Sequence, residues 1–436
     1  MEDMLALDHA FDKIYHSFNR FGRTLGSDEE RHPEYTRVLL DSLGGPDGVP
    51  CNVMVTGSKG KGSTAYFIAR LLATKSPAVG LFTSPHLVDS LERIRVNGSV
   101  ISQLHFMQAF KAVEPALDRL HDILPRGRYI GPVGVFAVLA AWHFHRRGAQ
   151  WGVYETGRGA RFDDVAQVQH QASVITAILP EHLKELGPDV EKIAWHKAGV
   201  VSSQTKTLVL GSDNQAMEKA VDRQIEVLGA DPYIVRAHAS VGIRDLRIDA
   251  GGSWFTLELA DGRLWVDLRI PMLGRVVENL RTAIATVEAV AGKLNEGQVR
   301  NVLAGARWPG RGEIISQRPW VLLDAAIRPE SLGPLLAELP PFDCAVLSIP
   351  DDKDRSGVAA LVKRHSRRLI LTTCSNPRLS YRLDRVPPTE GVSVVSAVND
   401  ALDEALNTLS PESRVLLCGT ISFVADVYRY LGRQVD

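Results

Sequence analysis

The sequence predicts an α/β protein of two bodies, each a mostly parallel sheet covered by helices on both faces. Three observations carry this. Short apolar runs alternate with helical patterns along most of the chain. One run enters a glycine-rich turn that opens a helix. After Arg307-Trp308-Pro309-Gly310-Arg311 the alternation starts again, with enough strands for a second domain.

The elements follow in order. Residues 1–50 read as helices, with His, Tyr and Phe interleaved among charges. An apolar run at 51–55, the turn, a helical pattern at 64–73 and a second run at 79–83 make a βαβ unit. Further strands are expected at 152–154, 172–178 and 207–210, separated by helices such as 133–147 and 190–198. From 240 to 270 the texture changes: 254–259 and 264–270 alternate apolar and polar around Asp261-Gly262, a hairpin signal and a small antiparallel insertion. A helix at 277–293 follows. The second body has strands at 321–323, 345–349, 369–372, 392–395 and 415–417. The boundary is expected near 296–311, dividing the chain into 1–300 and 301–436.

Composition narrows the function. Lys and Arg total 50 against 51 Asp and Glu, a net charge of −1, so no global basic field exists to hold nucleic acid or an anionic membrane. Hydrophobic residues at 45% supply a core and exclude a mainly disordered chain. Cys51, Cys344, Cys374 and Cys418 form no CxxC motif; each adjoins an apolar run and is expected to be a small buried hydrophobe in a reducing compartment. The acidic N-terminus lacks an apolar signal core, and the longest apolar run, 132–142, is too short to span a bilayer. A cytoplasmic protein is expected.

Gly57-Ser58-Lys59-Gly60-Lys61-Gly62-Ser63 follows a strand and opens a helix, so backbone N–H groups turn inward on a phosphate chain at a positive helix end. Lys61 is placed to reach the outer phosphates, and Ser63 or Thr64 to offer a hydroxyl to Mg²⁺. The loop differs from G-x-x-x-x-G-K-[ST], since Gly62 separates Lys61 from Ser63.

With its flanks, this loop resembles that of the folylpolyglutamate synthase and dihydrofolate synthase branch of the Mur ligase superfamily. Thr56 to Ser63 is similar to T-G-T-N-G-K-G-S, Gly80 to Leu87 to G-L-F-T-S-P-H-L, and Glu92 to Gly98 to E-R-I-R-V-N-G. Glu155-Thr156-Gly157-Arg158-Gly159-Ala160-Arg161-Phe162-Asp163 is similar to E-V-G-L-G-G-R-L-D. Glu181-His182, Lys197-Ala198-Gly199, Trp308-Pro309-Gly310-Arg311 and Asp352-Lys353-Asp354 stand at D-H, K-A-G, W-P-G-R and D-K-D.

The resemblance implies a P-loop, Mur-ligase-like ATPase domain and a smaller C-terminal Rossmann-like domain. It implies a ligase in which ATP phosphorylates a carboxylate and an amino acid's amine attacks the acyl phosphate. The implied cofactors are ATP and Mg²⁺, the latter as two ions. The implied partners are a small-molecule carboxylate and an amino acid, glutamate by analogy, and the family leans monomeric. Gly57, Gly60, Lys61, Gly62, Ser63 and Thr64 match the nucleotide loop, with Asn279, Arg311 and Asp324 at other nucleotide positions. Ser84, Glu155 and His182 match metal ligands, and Lys197 a lysine that carries a carbamate. Lys61, Glu155, His182 and Lys197 form the implied catalytic set.

The pattern breaks in three places. Where the family has D-G-A-H-N-P, this chain has Asp324-Ala325-Ala326-Ile327-Arg328-Pro329, which leaves Arg328 as another anion contact or a solvent-facing residue. Val133, Gly134 and Ala137 replace the Phe, Glu and second Thr of T-x-F-E-x-x-T, although Asp163 remains at a pterin-contacting position. The H-Q pair before Asn279 is missing. Valine offers no flat π face, so the acceptor expected here is not a folate. Two alternatives stay open: the family's usual glutamate addition, and a nucleotide-binding paralogue without catalysis.

Overall fold

The computed structural model describes residues 2–21, 31–48, 50–385, 387, 389–407 and 409–435. The first sheet contains β1 (Cys51–Thr56), β2 (Val79–Phe82), β3 (Ile94–Val96), β4 (Ser99–Val100), β5 (Trp151–Glu155), β6 (Ala172–Ile175), β7 (Thr207–Leu210) and β8 (Tyr233–Arg236). Its order is β4-β3-β2-β5-β1-β6-β7-β8. The run from β2 to β8 is parallel, and β3 and β4 add an antiparallel edge. Strand β1 is central and buried along almost its whole length, as an apolar run flanked by parallel neighbours requires.

Helices cover both faces. Phe106, Phe110, Phe136 and Phe144 belong to the core cluster on one face; Phe67, Leu71 and Leu280 belong to the cluster on the other. The insertion is a three-stranded antiparallel sheet ordered β11-β10-β9, with β9 (Val241–Asp249), β10 (Gly252–Leu259) and β11 (Leu264–Ile270). The expected hairpin is its β10–β11 pair. Strand β9 escaped the sequence reading because its middle is exposed and lacks an apolar rhythm.

Helix Glu296–Ala304 spans residue 300, where the sequence reading divided the chain, and packs Val299, Val302 and Leu303 into the first body's core. The last sheet holds β12 (Glu313–Gln317), β13 (Trp320–Asp324), β14 (Phe342–Ser348), β15 (Ser366–Leu371), β16 (Val392–Val394) and β17 (Arg414–Gly419). It is ordered β12-β13-β17-β14-β15-β16 and is parallel except for β12. That makes six strands rather than five, the extra one being antiparallel β12 at the edge.

The bodies meet through named contacts. Leu87 and Val88 pack on the second body's core, Trp320 Nε1 donates to Ala250 O at 2.8 Å, and the Tyr66 and Trp308 rings lie 4.8 Å apart. One cysteine departs from expectation. Cys344, Cys374 and Cys418 are buried, but Cys51 is exposed, because it opens β1 before the strand enters the core.

Candidate active site

The loop between β1 and helix Lys61–Leu72 lies at the carboxyl ends of the central strands, where an open parallel sheet presents its crevice. Gly60 has φ 87°, and a Cβ there would stand 2.2 Å from Asn279 Oδ1, so only glycine lets Asn279 approach the loop. The helix starts at Lys61, three residues earlier than its pattern suggested. Lys61 Nζ donates to Gly57 O at 2.7 Å. Ser63 is buried. Thr64 Oγ1 is also buried and has no hydrogen-bond partner among the described residues.

Glu155 ends β5 beside this helix. A Cβ on Gly62 would lie 3.1 Å from Glu155 Oε2, and that same oxygen accepts from the Ser84 backbone N–H at 3.1 Å. Burial raises the Glu155 carboxyl to about 6, against the pull of Lys61, the Ser84 N–H, Arg311 and Arg93. It is a buried acid whose charge its surroundings leave partly unmet.

Lys197, on helix Val190–Ala198, is fully buried. Its Nζ donates to Gly57 O (2.9 Å), Arg158 O (2.7 Å) and Glu181 Oε1 (3.2 Å). Burial, then the Lys61 charge, lowers it to about 7, while Glu181 pulls the other way. Next to Glu181, His182 takes the left-handed φ of 49° and opens helix Leu183–Leu186, with 46% of its side chain exposed. Such a backbone angle is uncommon for a residue other than glycine and marks a position held by its surroundings. Burial and the Arg158 and Lys61 charges lower the imidazole's pKa, against Glu181 and Glu185.

The second body contributes from across the cleft. Arg311 acts electrostatically on Glu155, Lys59 and Asp324. Asp324 is spent on backbone N–H groups, accepting from Gly312 N just before β12 (2.6 Å) and from Ala326 N in its own turn (2.7 Å). Arg328 does not merely face solvent: its Nη1 donates to Pro180 O at 2.8 Å, immediately before Glu181-His182.

The acceptor-side residues lie on helix Pro132–Arg146 and on the segment after β5, from which Asp163 acts electrostatically on Lys197. Val133 is half-buried in the first turn of helix Pro132–Arg146, and a Cβ on Gly134 would meet Thr36 Oγ1 at 2.3 Å. Asp163 is buried and accepts from Gly157 N and Val165 N, both at 3.0 Å; burial raises it to about 6. Its oxygens already serve the backbone.

Two cations escaped the sequence reading. Lys59, the loop's second lysine, feels Lys61, Arg311 and Arg328 together; its pKa falls, chiefly through desolvation. Arg93 donates Nε to His86 Nδ1 at 3.1 Å, lies over the Phe136 ring and leaves Nη1 buried with no partner among the described residues. Lys59 was visible in the loop, whereas nothing in the spacing of Arg93 signalled its burial.

The donors around the loop suit a hard divalent cation. A buried carboxylate, the Ser84 hydroxyl, an imidazole and the orphaned Thr64 hydroxyl fit one that keeps part of its water shell. Among the described residues, no three His, Cys, Asp or Glu side chains are grouped to cage a metal by themselves.

No family model matches the chain. It is 30% identical over 376 residues to the dihydrofolate synthase/folylpolyglutamate synthase of Mycobacterium tuberculosis, covering 79% of this chain and 75% of that protein. It is 29% identical over 411 residues to a probable bifunctional folylpolyglutamate synthase/dihydropteroate synthase of Haloferax volcanii, covering 90% of this chain. The chain spans about half the length of that relative and of a similar one from Halobacterium salinarum, 47% and 48% respectively. Among solved structures, Mycobacterium tuberculosis folylpolyglutamate synthase complexed with ADP superposes with a TM-score of 0.86, covering 99% of both chains at 24% identity. That likeness establishes the fold.

Proposed function

The chain belongs to the folylpolyglutamate synthase/dihydrofolate synthase family, and from that premise we propose that it is an ATP-dependent, ADP-forming ligase. It joins a small-molecule carboxylate to the amine of an amino acid, glutamate by analogy. The carrying observation is the convergence of Lys61, Glu155 and Lys197 on one loop, with Arg311 acting on Glu155 from the second body.

The loop's N–H groups and Lys61 hold the nucleotide phosphates, and Arg311 adds a charge that persists at every working pH. An acceptor carboxylate oxygen attacks the terminal phosphorus and ADP leaves. The amine then attacks the acyl carbon; phosphate leaves and the amine gives up a proton. The loop positions the phosphates and supplies cationic charge where negative charge gathers. Ser84, Glu155 and His182 would hold Mg²⁺, two ions in this reading, and a carbamate on Lys197 would face the second. When bound, magnesium supplies charge neutralisation at the phosphates. The depressed pKa of Lys197 supports carbamylation, because only the neutral amine adds CO₂.

We assign the acceptor to carboxylates other than folates. Val133 and Gly134 provide no aromatic platform, and Thr36 fills the space a larger residue at 134 would need. The relatives' names favour a second reading, glutamate addition to dihydropteroate or a folate. A paralogue without catalysis is disfavoured by the intact loop and the unmet acid at Glu155. We propose a cytoplasmic monomer, by analogy with the family. Among the described residues no helix is long and apolar enough to cross a membrane.

The test is ADP release with ATP, Mg²⁺ and glutamate, offering dihydropteroate, tetrahydrofolate and a panel of other carboxylates. Release with none of them overturns the ligase. Turnover of dihydropteroate or tetrahydrofolate at about 1 s⁻¹ or more establishes the second reading instead.

A further inference from the structure

A cavity of about 450 Å³ lies away from the phosphate loop, between helix Lys61–Leu72, the β2–β3 edge and helix Glu296–Ala304. Three arginines line it, Arg70, Arg95 and Arg307, and no carboxylate does. Among the described residues none of the three is in an ion pair. Arg70 donates to Tyr66 OH and Gly305 O, both at 3.0 Å. Arg95 donates to Glu92 O and the Thr83 hydroxyl, is only 3% exposed, and leaves Nε buried with no partner among the described residues.

The nearby acids are already engaged. Glu92 accepts from the backbone N–H groups of Leu87, Val88 and Asp89. Glu313 accepts from Gly310 N and Tyr428 OH. Desolvation of the buried Arg95 outweighs the pull of Glu92 on it, and the part-buried Arg70 and the exposed Arg307 add two more positive charges around the same space. An anion in the cavity removes both penalties. Tyr66 and Leu81 give the space an apolar wall as well.

We propose that this cavity binds a small organic anion, a carboxylate or phosphate carried on a compact apolar body. The size fits, since pockets of roughly 300–1,000 Å³ take such ligands. The guanidinium fork matches either anion. The site also borders the connection between the bodies: Arg95 lies over the Trp308 ring at 5.5 Å, and Trp308 rests on Tyr66. A bound anion would therefore steady the segment that carries Arg311.

The test is calorimetric titration of the full chain with phenyl phosphate, with and without saturating ADP and Mg²⁺. One saturable site is expected in both conditions. Phenol, the same ring without the charge, is expected not to bind, and inorganic phosphate to bind more weakly than phenyl phosphate. Benzoate in place of phenyl phosphate separates a carboxylate reader from a phosphate reader. Arg70→Ala and Arg307→Ala, both altering the rim, should each weaken binding by about tenfold or more. Lack of saturation at about 10 mM, displacement by ADP, or full affinity in both variants overturns the site. None of these readouts needs ligase activity, so this proposal and the ligase reading fail separately.

Discussion

The phosphate end of the cleft and the first turn of helix Pro132–Arg146 are both built on the first sheet, yet they treat charge in opposite ways. At the phosphate end, Lys61 and Lys197 share Gly57 O, and Glu155 stays buried with its charge only partly met. On the function proposed above, that end is arranged to take the charges of a bound nucleotide. At the helix turn the chain completes its own contacts. Asp164 sits against Gly131 and Gly134, accepts from Thr36 Oγ1 at 3.3 Å and is paired with Arg31. On the same proposed function, the difference teaches that chemistry and specificity rest on different residues, so one can change while the other is kept.

The largest effect should come from breaking the phosphate end. Lys61→Ala removes a charge-assisted contact, and ATP affinity should fall by about 1.5–3 kcal/mol. Glu155→Gln should abolish Mg²⁺-dependent ADP release while cooperative melting persists. Unchanged nucleotide binding by calorimetry in Lys61→Ala would remove the loop from the mechanism.

Gly134→Glu tests the filled wall. The new Cβ would stand 2.3 Å from Thr36 Oγ1 and 2.8 Å from Asp164 Cβ. Overpacking of this kind costs about 1–3 kcal/mol, to be read as a lower urea midpoint. Undiminished stability would mean the wall yields, and the contrast between the two ends would weaken.

Further along the same helix, His143 tests how tightly the wall is backed. Burial, with His105 and Arg147 nearby, lowers its pKa to about 4. The unfolded state then binds the extra proton more readily than the folded one. Stability from this group is complete above pH 6.5 and is lost as pH falls toward 4. About 1–2 kcal/mol should disappear by pH 5, and His143→Asn should flatten that slope in urea titrations. Parallel slopes in the two proteins would assign the loss elsewhere.

The smallest effect is expected where the second body touches the first. Arg328→Asn removes the donor to Pro180 O. A contact at an exposed site is worth about 0.5–1.5 kcal/mol, so turnover should drop by only a few fold. A drop as large as that of Lys61→Ala would place Arg328 on the phosphates themselves.

Much of this protein was determined by its sequence alone. Strand periodicity and the glycine-rich turn fixed the α/β class, since both are local signals set by neighbours in the chain. Residues 207–210 and 190–198 read from the sequence coincide with β7 and helix Val190–Ala198. The loop and its lysine were equally legible, because a phosphate cradle is made by consecutive residues. Strands β9 and β12 were not: they lie at sheet edges, where half-exposed positions break the apolar rhythm. Tertiary structure also decided how far each acid is free to act. Asp163 and Asp324 look like site residues in sequence, but their oxygens serve backbone N–H groups brought near by the fold. Arg328 reaches Pro180 across 148 residues, and Asp164 comes from 30 residues beyond Gly134 to fill the space at its α-carbon. Such contacts depend on packing between distant segments, which no local pattern encodes.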